Sequence, residues 1–83
     1  MRIKNEWSAR MPFPDGHSIK LTFSKALFTV RIDNSKGGKR DFVVNAGKEY
    51  IIEADNIRHI DSAFISFKAH NPGDEITIDW SVI

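Results

Sequence analysis

Three histidines are the first residues that could supply acid–base catalysis or bind a metal ion. His17, His59 and His70 lie 42 and 11 positions apart along the chain. Dedicated zinc motifs place their ligands only a few residues apart and commonly include cysteine, which this sequence lacks. The absence of cysteine also excludes disulfides and thiolate nucleophiles. We therefore expect strand-end or surface histidines, and neither a metal site nor a catalytic residue.

The acidic residues offer a second route to chemistry. Most of them alternate with apolar residues, as Glu49 and Glu53 do around Tyr50 and Ile52, which is typical of the solvated face of a strand. Asp33 and the segment 55–61 could bind calcium in loops, but neither has the ligand repeat of an EF-hand. We expect turn-forming aspartates here, with no general acid and no cofactor.

A basic segment, 35–40, invites comparison with phosphate-binding loops. It fails the P-loop pattern, because Asp33 stands where the first glycine belongs and Arg40 where Ser or Thr should follow the lysine. Lys36, Lys39 and Arg40 remain as a candidate basic loop that could contact a phosphate, nucleic acid or an acidic partner. A solvated hairpin turn is the simpler interpretation.

Alternation of apolar and polar residues with a period of two runs through most of the chain and predicts strands. Turn-forming residues cluster at 33–40, 45–48 and 71–74. This spacing predicts six to seven short strands in a compact antiparallel β-sandwich, or a small barrel. Eighty-three residues form one domain, 1–83, with no room for a second core.

Three connections are less regular. The alternation changes parity within Ser24–Leu27, which predicts either a β-bulge in a kinked strand, the interpretation we favour, or a hairpin turn. Gly47 suits the positive-φ site of a short hairpin loop. Met11–Gly16 contains two prolines and predicts a loop.

A few apolar residues do not fit the core-facing pattern. Phe64, Val43, Ile51 and Ile83 fall on the opposite parity from their apolar neighbours, and Phe13 sits in the proline-rich segment, where it could fill its own core or a neighbour's pocket. Exposed apolar patches commonly mark interfaces. The candidate interface residues are Phe13, Phe64, Ile51 and Ile83, while Trp7 and His17 are candidates for a ligand-binding face.

The net charge of +1 conceals two halves of opposite sign. Residues 1–48 carry ten Lys or Arg and four Asp or Glu, a net of +6, and residues 49–83 carry two and seven, a net of −5. Adjacent strands from the two halves could neutralise one another. Alternatively, the two signs could occupy separate surfaces and favour head-to-tail contact between copies.

Four stretches of the chain resemble small β-sandwich accessory proteins of tailed-phage virions. That pattern has a strand ending in Asn, a "pGe" hairpin, then "i-d-s-i-y-i-s" and a closing "v-x-i-x-W". Ala46 departs from the usual proline-like position and Phe64 from a tyrosine. The resemblance implies a non-enzymatic structural protein present in several copies on a capsid, tail or fibre. The matching stretches are 28–34, 43–49, 60–66 and 75–80.

Together these features predict a non-enzymatic assembly module that binds itself or a larger particle through sheet edges and exposed apolar residues. A ligand- or carbohydrate-binding sandwich is one alternative, and a small phage-type inhibitor acting through the acidic C-terminal half is another. We expect a protein partner, no membrane contact and no dedicated nucleic-acid binding. The charged N-terminus lacks a secretion signal, so we expect synthesis in the cytoplasm and a final location there or in a virion.

Overall fold

Eight strands account for nearly half of the computed structural model, which describes residues 1–83. The only helical piece is a 3₁₀ turn at Ala54–Asn56. The chain is therefore all-β, as predicted. The strands are β1 (Arg2–Ile3), β2 (Met11–Pro12), β3 (Ile19–Phe23), β4 (Phe28–Asp33), β5 (Lys39–Val44), β6 (Glu49–Ile52), β7 (Phe64–Ala69) and β8 (Ile76–Val82).

The strands form two four-stranded antiparallel sheets, which confirms the sandwich. Sheet 1 has the order β1-β8-β3-β6 and sheet 2 the order β2-β7-β4-β5. The count exceeds the expected six to seven because part of the proline-rich segment is a strand rather than a loop. Pro12 pairs with Phe64 in β2, at the edge of sheet 2, where a strand has a partner on one side only and tolerates proline.

The order of pairing follows one rule from the ends of the chain inward. The first strand pairs with the last, β2 with β7, β3 with β6 and β4 with β5. This long double hairpin is folded over so that β3 also pairs with β8 and β4 with β7. Eight antiparallel strands connected in this way form a jelly roll.

Only the β4–β5 connection stays within one sheet, so the hairpin expected at Asn45–Lys48 is wrong. Gly47 does adopt a positive φ of 82°, but β5 and β6 lie in different sheets. The Asn71–Asp74 turn also joins the two sheets, with Gly73 at φ 86° and the Asp74 N–H donating to the Asn71 carbonyl oxygen over 3.2 Å. Turn residues thus report where the chain reverses and not which sheet it enters.

The parity change at Ser24–Leu27 combines a bulge with a change of sheet. Leu27 has a φ of 72° and donates its N–H to the Val44 carbonyl oxygen, while Phe28 is the register partner of Val44. Two residues thus lie opposite one, which is a bulge. The expected kinked strand is wrong, as is the hairpin alternative, because β3 and β4 belong to opposite sheets whose inner faces meet.

A single cluster of 19 buried apolar residues fills the space between the sheets. The rings of Phe23, Phe28 and Phe67 pack edge to face, with centroids 4.9 and 6.4 Å apart along that series. Ile57 and Ile60, next to the 3₁₀ turn, are also buried and cap one end. Ser66 is the only buried polar residue. The alternation therefore identified most core-facing residues correctly, although Val82 at the end of β8 is 46% exposed.

A matched pair of substitutions tests the two faces. Ile32→Val deletes a methylene from a side chain with no exposed area, so we expect the free energy of unfolding to fall by about 1 kcal/mol. Ile51→Val makes the same chemical change at a side chain that is 48% exposed, and we expect almost no loss. Urea unfolding of both variants measures this. Equal losses would contradict the assignment of the faces.

Candidate functional site

Ion pairs join the two oppositely charged halves of the chain. Six of the nine pairs connect a cation from residues 1–48 to an acid from residues 49–83. Six of the seven acids in the second half are paired, among them Glu75 with both Arg2 and Lys4. The halves therefore neutralise one another across neighbouring strands. Nothing in this arrangement favours an inhibitor that acts through a separate acidic surface.

Arg31 organises the outer face of sheet 2. Its Nε and Nη2 donate to Oδ1 and Oδ2 of Asp41 over 2.9 and 3.0 Å. These bonds hold the pKa of Asp41 below its ordinary value of 3.8 and raise the pKa of Arg31. The guanidinium carbon lies 3.9 Å from the centre of the Trp7 ring. The sequence pattern did not predict this three-residue stack.

Phe64 points outward, as predicted, but it is covered. It is half-buried, and the Arg10 guanidinium lies 4.4 Å above its ring. Arg10 also donates from Nε to Asp33 Oδ1 over 3.2 Å, which fixes the guanidinium in place. The Phe64 ring is therefore covered by Arg10 of its own chain and presents little apolar area to a partner.

Phe13 belongs to the protein's own core, so its place among the candidate interface residues is wrong. It is only 7% exposed, and its ring stacks on Trp80 with centroids 6.2 Å apart. Its N–H donates to the Ala63 carbonyl oxygen over 3.0 Å. These contacts close the end of the sandwich beyond β2.

The four candidate interface residues do not form one patch. Ile51 is 48% exposed and Ile83 59% exposed, both with the parity of the outer face of sheet 1. β3 lies between their strands, since it pairs with both β6 and β8. Phe64 is on the opposite sheet. The expectation of a shared apolar surface is wrong, and Ile51 and Ile83 remain as separate exposed positions.

The candidate basic loop is held by the Asn34 side chain, a turn residue whose anchoring role the sequence pattern did not predict. Asn34 Oδ1 accepts hydrogen bonds from the N–H groups of Lys36 and Gly38 over 3.1 and 2.8 Å. Its Nδ2 donates to the Asp61 carbonyl oxygen. Asn is frequent in turns because its side chain hydrogen-bonds to nearby backbone groups. Its position between β4 and β5 was therefore the feature of the sequence that could have indicated this role.

The three cations of this loop have different surroundings. Lys36 lies 3.8 Å from an Asp61 carboxylate oxygen. Arg40 donates to the Asn56 carbonyl oxygen over 2.9 Å and lies above the Phe42 ring. Lys39 forms no ion pair. The loop is therefore an ordered hairpin tip, without a cradle of N–H groups for phosphate.

Trp7 and His17 do not share a face. Trp7 is 37% exposed and lies over sheet 2, whereas His17 precedes β3 of sheet 1. Trp7 borders an open hollow of about 330 Å³ lined by the N-terminal segment. Among the other histidines, His70 Nε2 is hydrogen-bonded to Thr29 Oγ1 over 2.7 Å. No group of three His, Asp or Glu side chains could hold a metal ion.

One side of the sandwich is closed and the other is open. On the closed side the chain runs from β1 in sheet 1 to β2 in sheet 2, and the Ser8 N–H donates to Phe67. On the other side both sheets end in free edges, β5 and β6. Val43 on β5 is 56% exposed and Ile51 on β6 is 48% exposed. We call residues 39–44 and 49–53 the open side.

The hydrogen-bond pattern shows which backbone groups the open side presents. The Asn34 N–H donates to Gly38 and the Phe23 N–H to Lys48, which sets the alternation of both ladders. It follows that Lys39, Asp41 and Val43 of β5 point their N–H and C=O groups away from β4. Likewise Glu49, Ile51 and Glu53 point theirs away from β3. Apart from the Asn56 N–H, which donates to the Glu53 carbonyl oxygen over 3.0 Å, no backbone group outside the two ladders bonds to them.

Most charges without an ion pair lie along or beside this open side. Of the four side-chain cations in no ion pair, Lys39 and Arg40 are on β5 and Lys48 precedes β6. Glu53, at the end of β6, is an unpaired acid on the same side. The open side therefore combines unpaired backbone groups, exposed apolar side chains and unneutralised charge, and it is the candidate functional site.

Comparison with known proteins assigns no family to this chain: no family model matches it, and no curated protein or solved structure is significantly similar to it. The structure contains no helix of the length and apolar character that a membrane crossing requires.

The Arg31–Asp41 pair predicts a specific pH dependence of stability. Because the pKa of Asp41 is lower in the folded than in the unfolded chain, the pair's contribution is complete above pH 3.8 and is lost as the pH falls through the folded-state value. We expect Asp41→Asn to be less stable than wild type at neutral pH, with the difference shrinking below pH 3.8.

Urea unfolding between neutral and strongly acidic pH measures this difference. The control is the same substitution in an Arg31→Gln background, where the hydrogen-bonding partner is gone and we expect a much weaker pH dependence. A difference between Asp41→Asn and wild type that does not change with pH would contradict the assignment.

Proposed function

We propose that this protein is a non-enzymatic assembly module that binds a polypeptide strand along its open side. The observation that carries the proposal is the pair of free edges, β5 and β6, next to each other on one side of the sandwich. Free edges present rows of unpaired N–H and C=O groups and are templates for an added strand. Val43 and Ile51 add exposed apolar area at the same place.

The cellular setting that fits this proposal is a particle built from many copies. Resemblance to virion accessory proteins led to that expectation, and jelly-roll connectivity is compatible with it, since viral capsid domains use this fold. Lectins and cupins use it too, so the fold alone does not select a function. We accordingly propose a multicopy accessory protein of a virion-type particle, with its contacts made through sheet edges.

A ligand-binding role is the second candidate, and the surroundings of Trp7 favour it. The Arg31 guanidinium, itself fixed by Asp41, supports one face of the ring. The ring is 37% exposed and borders the hollow of about 330 Å³. Aromatic rings held in this way stack on apolar faces of ligands such as sugars.

Proline substitution tests the open side without removing a ladder bond. The Val43 N–H points away from β4, so Val43→Pro removes a donor from the free edge only, and we expect the fold to persist and association to be lost. Val43→Ala is the control, because it removes apolar area and keeps the N–H; we expect association weakened but present. Sedimentation velocity up to millimolar protein measures association, and circular dichroism and the melting temperature check the fold.

Two results would contradict the proposal. One is a wild-type protein that remains monomeric at millimolar concentration and also binds no larger particle. The other is a folded Val43→Pro variant that associates as wild type does.

Tryptophan fluorescence tests the second candidate. On titration with a panel of glycans we expect, if Trp7 is a stacking platform, an emission shift that disappears in Trp7→Phe, since Trp80 remains as the only indole. A shift that persists in Trp7→Phe would place the ligand elsewhere, and no shift with any glycan would remove carbohydrate binding.

A further inference from the structure

We propose that the partner of the open side is the open side of a second copy, related by a two-fold axis parallel to the strands, so that β5 of each copy pairs with β6 of the other. This inference rests on the proposed function and names its partner. It joins sheet 1 of each copy to sheet 2 of the other copy. Both free edges of both copies are then paired.

The directions of the strands allow this pairing. β5 and β6 are joined by the short connection 45–48, and the Phe42 and Tyr50 rings lie side by side with centroids 6.4 Å apart. The chain therefore runs in opposite directions along the two edges. A two-fold axis parallel to the strands keeps each direction and exchanges the sheets, so β5 meets the partner's β6 antiparallel.

The alternation of backbone groups is compatible with this arrangement. The outward residues of β5 are Lys39, Asp41 and Val43, and an added antiparallel strand must oppose them with outward residues of its own. Along β6 those are Glu49, Ile51 and, directly after the strand, Glu53. Phe42 and Tyr50 lie at the same level along the strand direction, and a two-fold axis parallel to the strands preserves that level. In this symmetric register, Phe42 therefore lies opposite the partner's Tyr50. All three outward residues of β5 then face outward residues of the partner.

Charge selects the same register. In the symmetric register Lys39 faces the partner's Glu53, and no like charges are opposed. If the partner strand is shifted by two residues in one direction, Asp41 lies opposite the partner's Glu53. If it is shifted by two residues in the other direction, Asp41 lies opposite the partner's Glu49. Like charges directly opposite are destabilising. Val43 also becomes the diagonal neighbour of the partner's Ile51, within reach of apolar contact.

A second copy fits better than an unrelated strand because one molecule carries both complementary edges. Lys39 and Glu53 have no ion-pair partner within their own chain. A two-fold contact forms the Lys39–Glu53 pair twice, and it closes rather than extending into a filament. A single added peptide would pair one edge and leave the other free.

Charge reversal with rescue tests the register. Lys39→Glu and Glu53→Lys each replace two attractive contacts per dimer with two repulsive ones, so we expect each to raise the dimer dissociation constant about tenfold. The Lys39→Glu/Glu53→Lys double variant restores opposite charges, and we expect wild-type affinity. Lys68→Glu, the same change at an unpaired lysine on β7, is the control and should leave the dimer unchanged.

Sedimentation equilibrium gives the constants, and amide hydrogen exchange at low and high protein concentration gives an independent readout. We expect concentration-dependent protection of the Asp41, Val43, Glu49 and Ile51 amides, which face solvent in the monomer. Failure of the double variant to regain affinity, or assembly beyond a dimer that Val43→Pro abolishes, would overturn the two-fold pairing and leave the proposed function standing. A wild-type protein that is monomeric but binds a larger particle would likewise overturn the two-fold pairing alone, and one that does neither would overturn both.

Discussion

The pairing of early strands with late ones is the constraint on which the rest of this structure depends. Four of the five strands within residues 1–48 have a neighbour from residues 49–83, from β1 with β8 to β3 with β6, and only β5 pairs solely with a strand of its own half. The core can form only when these distant segments have met, since the contacts that bury it are long-range. The +6 and −5 halves are the electrostatic counterpart of this topology, because paired strands bring opposite charges together. Exposed pairs of this kind stabilise weakly, but they leave little net field over most of the surface.

Sequence alternation was sufficient to predict the class of fold and the inward face of each strand. Ile65 and Phe67 are buried and Phe64 points outward, as their parity indicates. Membership of a sheet was not predictable in the same way. A tight turn with glycine at positive φ, as at Gly47, serves both a hairpin and a crossing between sheets, and only the pairing of β6 with β3 decides between them.

The candidate site was less predictable because exposure depends on which distant residue covers a side chain. Phe13 is buried against Trp80, 67 positions away, and Phe64 lies beneath Arg10. Ile51 has no such cover and remains exposed. Parity distinguishes outward from inward, but it does not distinguish a covered outward residue from a free one. The charged loop was identified as exposed and basic, whereas its order derives from Asn34, whose side-chain amide bonds to the Lys36 and Gly38 N–H groups within the turn and to the Asp61 carbonyl oxygen.

The open side also shows how an exposed edge can be selective. Free edges risk pairing with any extended chain, and proteins commonly protect them with charged side chains, above all lysine. Lys39 and Arg40 do this for β5, because neither has an ion-pair partner in its own chain and an added strand without acidic residues would leave both unneutralised. An edge strand that carries an acidic residue opposite these cations neutralises them. The same residues that discourage unspecific pairing therefore favour an acidic edge, and β6 of this protein, with Glu49 and Glu53, is such an edge.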